Sequence, residues 1–298
     1  MNEEALPFDD VSTDQCEARQ RPKILVPVIL FILTLVTATV GGTMQKYINP
    51  FLEPTRLIEG LPFSLTFLTI LLTHELGHYF ALRKYGVQAT LPHFIPAPPP
   101  LLTGTFGAVI KTKSPVTNRK ALMDIAVSGP LAGFIVSIAA TVIGLKMSYR
   151  IPIANTIEQY GLGSSIIFHA LSYYVLGPVS DQQYIFMHPI AFAGWLGFAV
   201  TSANLLPIGQ SDGGHIAYAL FGGKHRFISI TLIILLIIMG VFMWPLWIVW
   251  AILFIVFGIR HQPLTEEQVV LDRKRKIVGW LNLIVLVITF IPIPVYHY

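Results

Sequence analysis

At 298 residues, 54% hydrophobic and only 12% charged, the chain is too apolar for a soluble domain, where about a quarter of residues carry charge. Its formal charge of +4 does not indicate a nucleic-acid partner, because the basic residues lie between apolar runs, where membrane proteins keep their topology signals. The lone cysteine, Cys16, excludes a disulfide framework and a cysteine-built metal site.

In chain order, residues 1–23 read as a polar, largely acidic cytoplasmic tail without the basic start of a secretory signal. Residues 24–298 read as one integral-membrane domain. Apolar stretches of spanning length fall at 24–43, 61–83, 121–145, 189–206, 228–243, 244–259 and 277–296. Trp244-Pro245 marks the turn between the fifth and sixth. Residues 207–221, interrupted by Pro207, Gly209, Gly213 and Gly214, read as a re-entrant or unwound piece. The fold class expected is therefore an all-α polytopic membrane protein of about six to seven transmembrane helices. With the N-terminus in the cytoplasm, all lysines and arginines except Lys46, Arg56, Lys146 and Arg150 fall on the cytoplasmic side, the arrangement that the positive-inside rule favours.

Two connections stand out. Residues 84–120 carry Pro92, Pro96, Pro98, Pro99 and Pro100, a density that excludes a helix. The β-prone run Gly104–Ile110 follows. This connection is expected to line or gate access to a site within the membrane. The second, 146–188, lies on the far side and is too short for an inserted globular domain.

The chemistry centres on His74-Glu75-Leu76-Gly77-His78, at the end of the second apolar stretch. On a helix, His74 and His78 share a face one turn apart, with Glu75 beside them. Ionisable groups at membrane depth are costly and functional by default. A catalytic zinc needs a third protein ligand and an open position. The candidates are Asp212, His215, His93, His169 and His188. Asp212 stands out because it sits where Pro and Gly open a hydrophobic segment; its other reading is a helix cap before the glycine pair. Gly129 and Gly133 form a small-xxx-small pair suited to packing against the HExxH helix. Trp244, Trp247, Trp250 and Trp280 read as interface anchors or lipid-facing packing.

The pairing of HELGH with NLLPIGQSDGGH (Asn204 to His215), linked by GTFGAVI, SGPLAGF and HPIAFAGWLGFAVTSANLLP, resembles the site-2 protease family of intramembrane zinc metalloproteases, over roughly residues 62–262. That resemblance implies one zinc ion per chain on His74, His78 and Asp212, with Glu75 as catalytic base and Asn204 near the reaction centre. It implies a protease core at about 62–221, and a substrate that is a single-span membrane protein within the lipid bilayer. Ser211 departs from the family pattern, in which leucine is usual. With no stretch assignable to a PDZ or CBS domain, the chain resembles a minimal member. A bacterial cell membrane is the expected location. The alternatives are a membrane transporter or receptor that binds metal without hydrolysis, and a prenyl-protein protease using a glutamate as third ligand.

Overall fold

The computed structural model describes residues 24–152, 160–178, 183–259, 264–266 and 268–297; the N-terminal tail lies outside them. The architecture is helical. In chain order come α1 (Leu25–Met44), α2 (Leu61–Lys84), α3 (Arg119–Lys146), α4 (Ile166–Leu176), α5 (Pro189–Leu205), α6 (Asp212–Phe221), α7 (His225–Phe242), α8 (Leu246–Phe257) and α9 (Arg273–Thr289). Short strands fill the connections: β1 (His93–Pro96), β2 (Thr105–Val109), β3 (Tyr149–Pro152), β4 (Tyr160–Leu162), β5 (Gln183–Phe186) and β6 (Val295–His297).

Among the described residues, four stretches are long and apolar enough to cross a membrane: Leu25–Met44, Pro54–Lys84, Arg119–Lys146 and Asp212–Phe242. The last is not one rod. Gly222, at φ 57°, breaks it, and the Ser229 hydroxyl on α7 accepts the Gly209 backbone N–H at 3.1 Å. A straight helix would carry Ser229 roughly 25 Å beyond Asp212, so the chain turns between α6 and α7 and brings the start of α7 back to the break before α6.

The long helix α3 organises the interior. Glycines let α5 pack against its C-terminal half: a Cβ on Gly144 would sit 2.1 Å from the Ala191 nitrogen, and one on Gly197 would sit 2.2 Å from the Ser137 hydroxyl. Towards its N-terminal end, Leu122, Met123 and Ala126 share a buried cluster with Ile216 and Ala219 of α6. α5 and α6 thus follow each other along the same neighbour, interrupted at 206–211. α3 also lies against α2, where a Cβ on Gly77 would meet the Ser128 carbonyl at 2.5 Å.

Several expectations need correction. The break in the 207–221 segment is confined to 206–211, and residues from Asp212 onward are a regular helix. The 146–188 connection, expected only to be too short for a globular domain, contains α4, which starts at a Ser165 cap accepting the Phe168 N–H, and β3 pairs antiparallel with β5. The 277–296 stretch stops being helical at Thr289, because Pro292 and Pro294 cannot continue a helix; β6 then pairs with β4. Stretch 244–259 gives a helix of 12 residues, about 18 Å long and shorter than the hydrocarbon layer. Trp247 is buried rather than lipid-facing, and its indole donates to the Pro292 carbonyl at 2.7 Å.

The proline-rich connection holds the hairpin β1–β2. Its register steps by one extra residue on β2, between the pairs Phe94–Ala108 and Pro96–Thr105. Gly107, at φ 107°, lies inside that bulge, where left-handed backbone favours glycine.

The ends of α2, α3 and α9 are joined by Arg275. Its guanidinium donates to both Asp124 carboxylate oxygens at 2.8 Å and to the Tyr85 hydroxyl at 3.1 Å. Asp272 caps α9; accepting the Arg275 backbone N–H, and then its side chain, holds the Asp272 carboxyl below its ordinary range.

Candidate metal and catalytic site

α2 carries His74 and His78 one turn apart, and their rings meet edge to face at 4.9 Å. Two features of α3 fix the His78 ring. Its Nδ1 lies 2.8 Å from the Ile125 carbonyl; a carbonyl can only accept, so Nδ1 carries the proton and Nε2 presents a lone pair. Its far edge fills the space left by Gly129, where a Cβ would lie 2.1 Å from Nε2. Gly133 lies under His74, with the position of a Cβ 3.2 Å from that of the histidine. The small-residue pair on α3 therefore does pack against the HExxH helix, as its spacing suggests.

Asp212 enters from α6. His78 Nε2 lies 3.1 Å from His74 Nε2 and 3.3 Å from Asp212 Oδ2, and His74 Nε2 is 3.3 Å from the same oxygen. Zinc held about 2.0–2.1 Å from tetrahedral ligands spaces them about 3.3 Å apart. The three atoms thus converge as one face of such a tetrahedron. Two imidazoles and a carboxylate are a donor set for zinc, and the residues fit that ion.

Among the described residues, His74, His78 and Asp212 are the group of histidine and acidic side chains close enough to share a metal ion. The other candidates are elsewhere. His93 is on β1 with Nδ1 against the Leu91 carbonyl at 2.7 Å, His169 is on α4, and His188 caps α5. His215 lies one turn after Asp212 on α6 and lines the same cavity without joining the cluster.

Glu75 is half-buried, faces that cavity, and makes no hydrogen bond among the described residues. Asn204, near the end of α5, places its amide nitrogen 3.4 Å from His74 Nε2. The cavity, about 1170 Å³, reaches from the histidines past β2 to Trp250 of α8. Thr105 to Ile110 line it, as expected of the 84–120 connection.

Two elements of the site had little or no sequence signal. The Ile125 carbonyl is backbone, and the residue type at that position does not reveal it. Ser211 caps α6 by accepting the Gly214 N–H at 3.0 Å. The capping role that could have explained Asp212 therefore falls one residue earlier.

The profile of peptidase family M50 matches residues 62–245. The chain is 30% identical over 295 residues to "Probable zinc metalloprotease EGY1, chloroplastic" of Arabidopsis thaliana, covering 90% of this chain and 53% of that protein. It is 27% identical to the same plant's "Probable zinc metalloprotease EGY2, chloroplastic", covering 89% of this chain and 48% of that one. It is also 31% identical to the EGY1 protein of Oryza sativa subsp. japonica, over 68% of this chain. The chain spans about half the length of the curated Arabidopsis relatives it matches. These relatives are named as chloroplast proteins of plants, so the expectation of a bacterial cell membrane is withdrawn, and with it the cytoplasmic assignment of the basic side. The family expectation stands: the chain belongs to peptidase family M50, the site-2 protease family.

Proposed function

We propose that this protein is an intramembrane zinc endopeptidase that hydrolyses a peptide bond in or near the transmembrane segment of a single-span membrane protein. The observation that carries the reading is the convergence of His74 Nε2, His78 Nε2 and Asp212 Oδ2 at 3.1–3.3 Å, in a cavity that also contains Glu75 and Asn204. One zinc ion per chain would be held by those three residues. When bound, zinc supplies Lewis-acid chemistry at a carbonyl and at water. Glu75 accepts the proton of the attacking water and returns it to the leaving amine. The Asn204 amide donates to the oxygen of the tetrahedral intermediate. Residues 24–298 act as one protease domain, with its core at 62–221.

A substrate helix hides its peptide bonds in its own hydrogen bonding and must unwind before it is cut. The cavity-facing β2, paired on one side with β1, offers a strand edge on which the unwound piece can lie by β-addition. The test is to express Glu75→Gln in the native membrane and identify single-span proteins that accumulate or copurify. Enrichment over wild type with zinc retained is expected. Full proteolysis by Glu75→Gln with zinc still bound overturns the assignment.

A further inference from the structure

Residues 206–211 leave helical geometry beside the candidate metal ligands, and backbone polar groups there must be satisfied within the protein. Part of the break closes on itself: the Ile208 N–H donates to the Leu206 carbonyl at 2.7 Å, and the Ser211 N–H to the Ile208 carbonyl at 3.2 Å. Two serine hydroxyls complete the structure. Ser211 Oγ accepts from the Gly214 N–H at 3.0 Å and points its proton at the carbonyls of Leu206, 2.5 Å away, and Ile208, 2.9 Å away. Ser229 Oγ, reaching across from α7, accepts from the Gly209 N–H at 3.1 Å and lies 3.4 Å from the Pro207 carbonyl. Behind it stands His225, with Nε2 3.3 Å from the same hydroxyl. Ser229 and His225 are almost fully buried.

The glycines make this buckle compact. A Cβ on Gly213 would lie 1.9 Å from the Leu205 carbonyl, and one on Gly214 would lie 2.4 Å from the Gly209 carbonyl. The first turn of α6 is thus pressed onto the end of α5 and can be held there by few contacts. Aspartate is itself a favoured helix cap. Because Ser211 takes that role, the Asp212 carboxylate is free of the helix end and turns to the two histidines.

We propose that Ser211 and Ser229 are positioning residues for the metal site: their hydroxyls buckle the break between α5 and α6 and thereby set the place of the Asp212 carboxylate. The inference rests on the reading of Asp212 as a metal ligand. Ser211 acts from the helix end and Ser229 from the neighbouring helix, so the two can be tested separately.

The experiment measures zinc affinity of the purified full-length protein by competition with a chromogenic chelator. It compares wild type, Ser211→Ala, Ser211→Thr, Ser229→Ala, Ser229→Thr and Asp212→Ala, each with a thermal melt. Loss of a group that orients a ligand weakens metal binding by about tenfold or more. Each alanine variant should therefore lose about tenfold in zinc affinity, and each threonine variant, which keeps the hydroxyl, should recover most of it. Backbone amide exchange across 206–214 in the metal-free protein should speed up in Ser211→Ala and remain slow in Ser211→Thr. If Asp212→Ala abolishes zinc binding while both alanine variants bind as wild type, the buckle is overturned and the ligand assignment survives. If Asp212→Ala binds zinc as wild type does, the ligand assignment itself falls. Should one alanine variant fail to fold, the pair at the other serine decides between the same outcomes.

Discussion

Gly129→Ala adds one methyl group where α3 presses against the His78 ring. That carbon would sit 2.1 Å from His78 Nε2, 2.4 Å from Cδ2 and 2.6 Å from Cε1, where ordinary contact starts at about 3.4 Å. The ring cannot swing aside without losing its Nδ1 bond to the Ile125 carbonyl, held at 2.8 Å. The helices cannot part without opening the adjacent Gly77–Ser128 approach, one residue back on each helix. Overpacking of this kind costs about 1–3 kcal/mol in stability. The affected group is a candidate ligand, so zinc affinity should fall by about 10–100-fold, the range seen when ligand orientation is disturbed. Gly133→Ala provides a graded comparison: its added carbon would lie 3.2 Å from the His74 Cβ, a small adjustment, and affinity should fall only a few-fold. Gly223→Ala, with nothing within 4 Å, should be neutral. Chelator competition measures the affinities, and a melt separates them from unfolding. Wild-type zinc affinity in folded Gly129→Ala would refute the claim that α3 sets the His78 ring.

The remaining predictions separate chemistry from metal binding and from stability. Glu75→Gln should keep zinc and lose about 10²–10⁴-fold in cleavage rate, measured on a trapped substrate in proteoliposomes. Asn204→Ala should lower the turnover rate by about 10²–10³-fold with little change in zinc affinity; a large loss of zinc would instead assign the Asn204 amide to positioning His74. Arg275→Met should lower the thermal midpoint, because Asp124 and Tyr85 lose a shared partner, while zinc affinity stays at the wild-type value. The Asp272 carboxyl is held below its ordinary range, so its cap on α9 stabilises at neutral pH and fades as the pH falls below about 4. Asp272→Asn should flatten that part of the pH–stability curve.

The parts of the site legible in the sequence share a local signal. The one-turn spacing of His74 and His78, the prolines that exclude a helix over 92–100, and the glycines that open the chain before Asp212 each act through a few neighbouring residues. The small pair Gly129 and Gly133 announced a close helix contact, but which histidine each would meet depends on the rotation of α3 about its axis, and no local pattern encodes that. The strand pairs β3–β5 and β4–β6 join residues far apart in the chain, and α4 is a short apolar helix of 11 residues with no length signal for a span. Ser211 was visible only as a departure from the family pattern. Its meaning required the fold, because a cap is defined by where the helix starts.

α3 supplies no candidate ligand, yet it fixes more of the site than either helix that does. Gly129 gives the His78 ring its place, the Ile125 carbonyl sets its tautomer, and Gly133 admits His74. Further along, Ser137, Thr141 and Gly144 hold α5 close, and α5 ends at the break from which Asp212 emerges. The helix is thus a template on which the two ligand-bearing elements register independently. An isolated HExxH helix could place two imidazoles but could not choose their tautomers, and an isolated broken helix could present a carboxylate but not at the right depth. Packing both against one rigid neighbour converts these two local motifs into a three-atom face with edges of 3.1–3.3 Å. Substitutions along the template should therefore divide by position: those near Gly129 act through His78, and those near Gly144 act through α5 on Asp212.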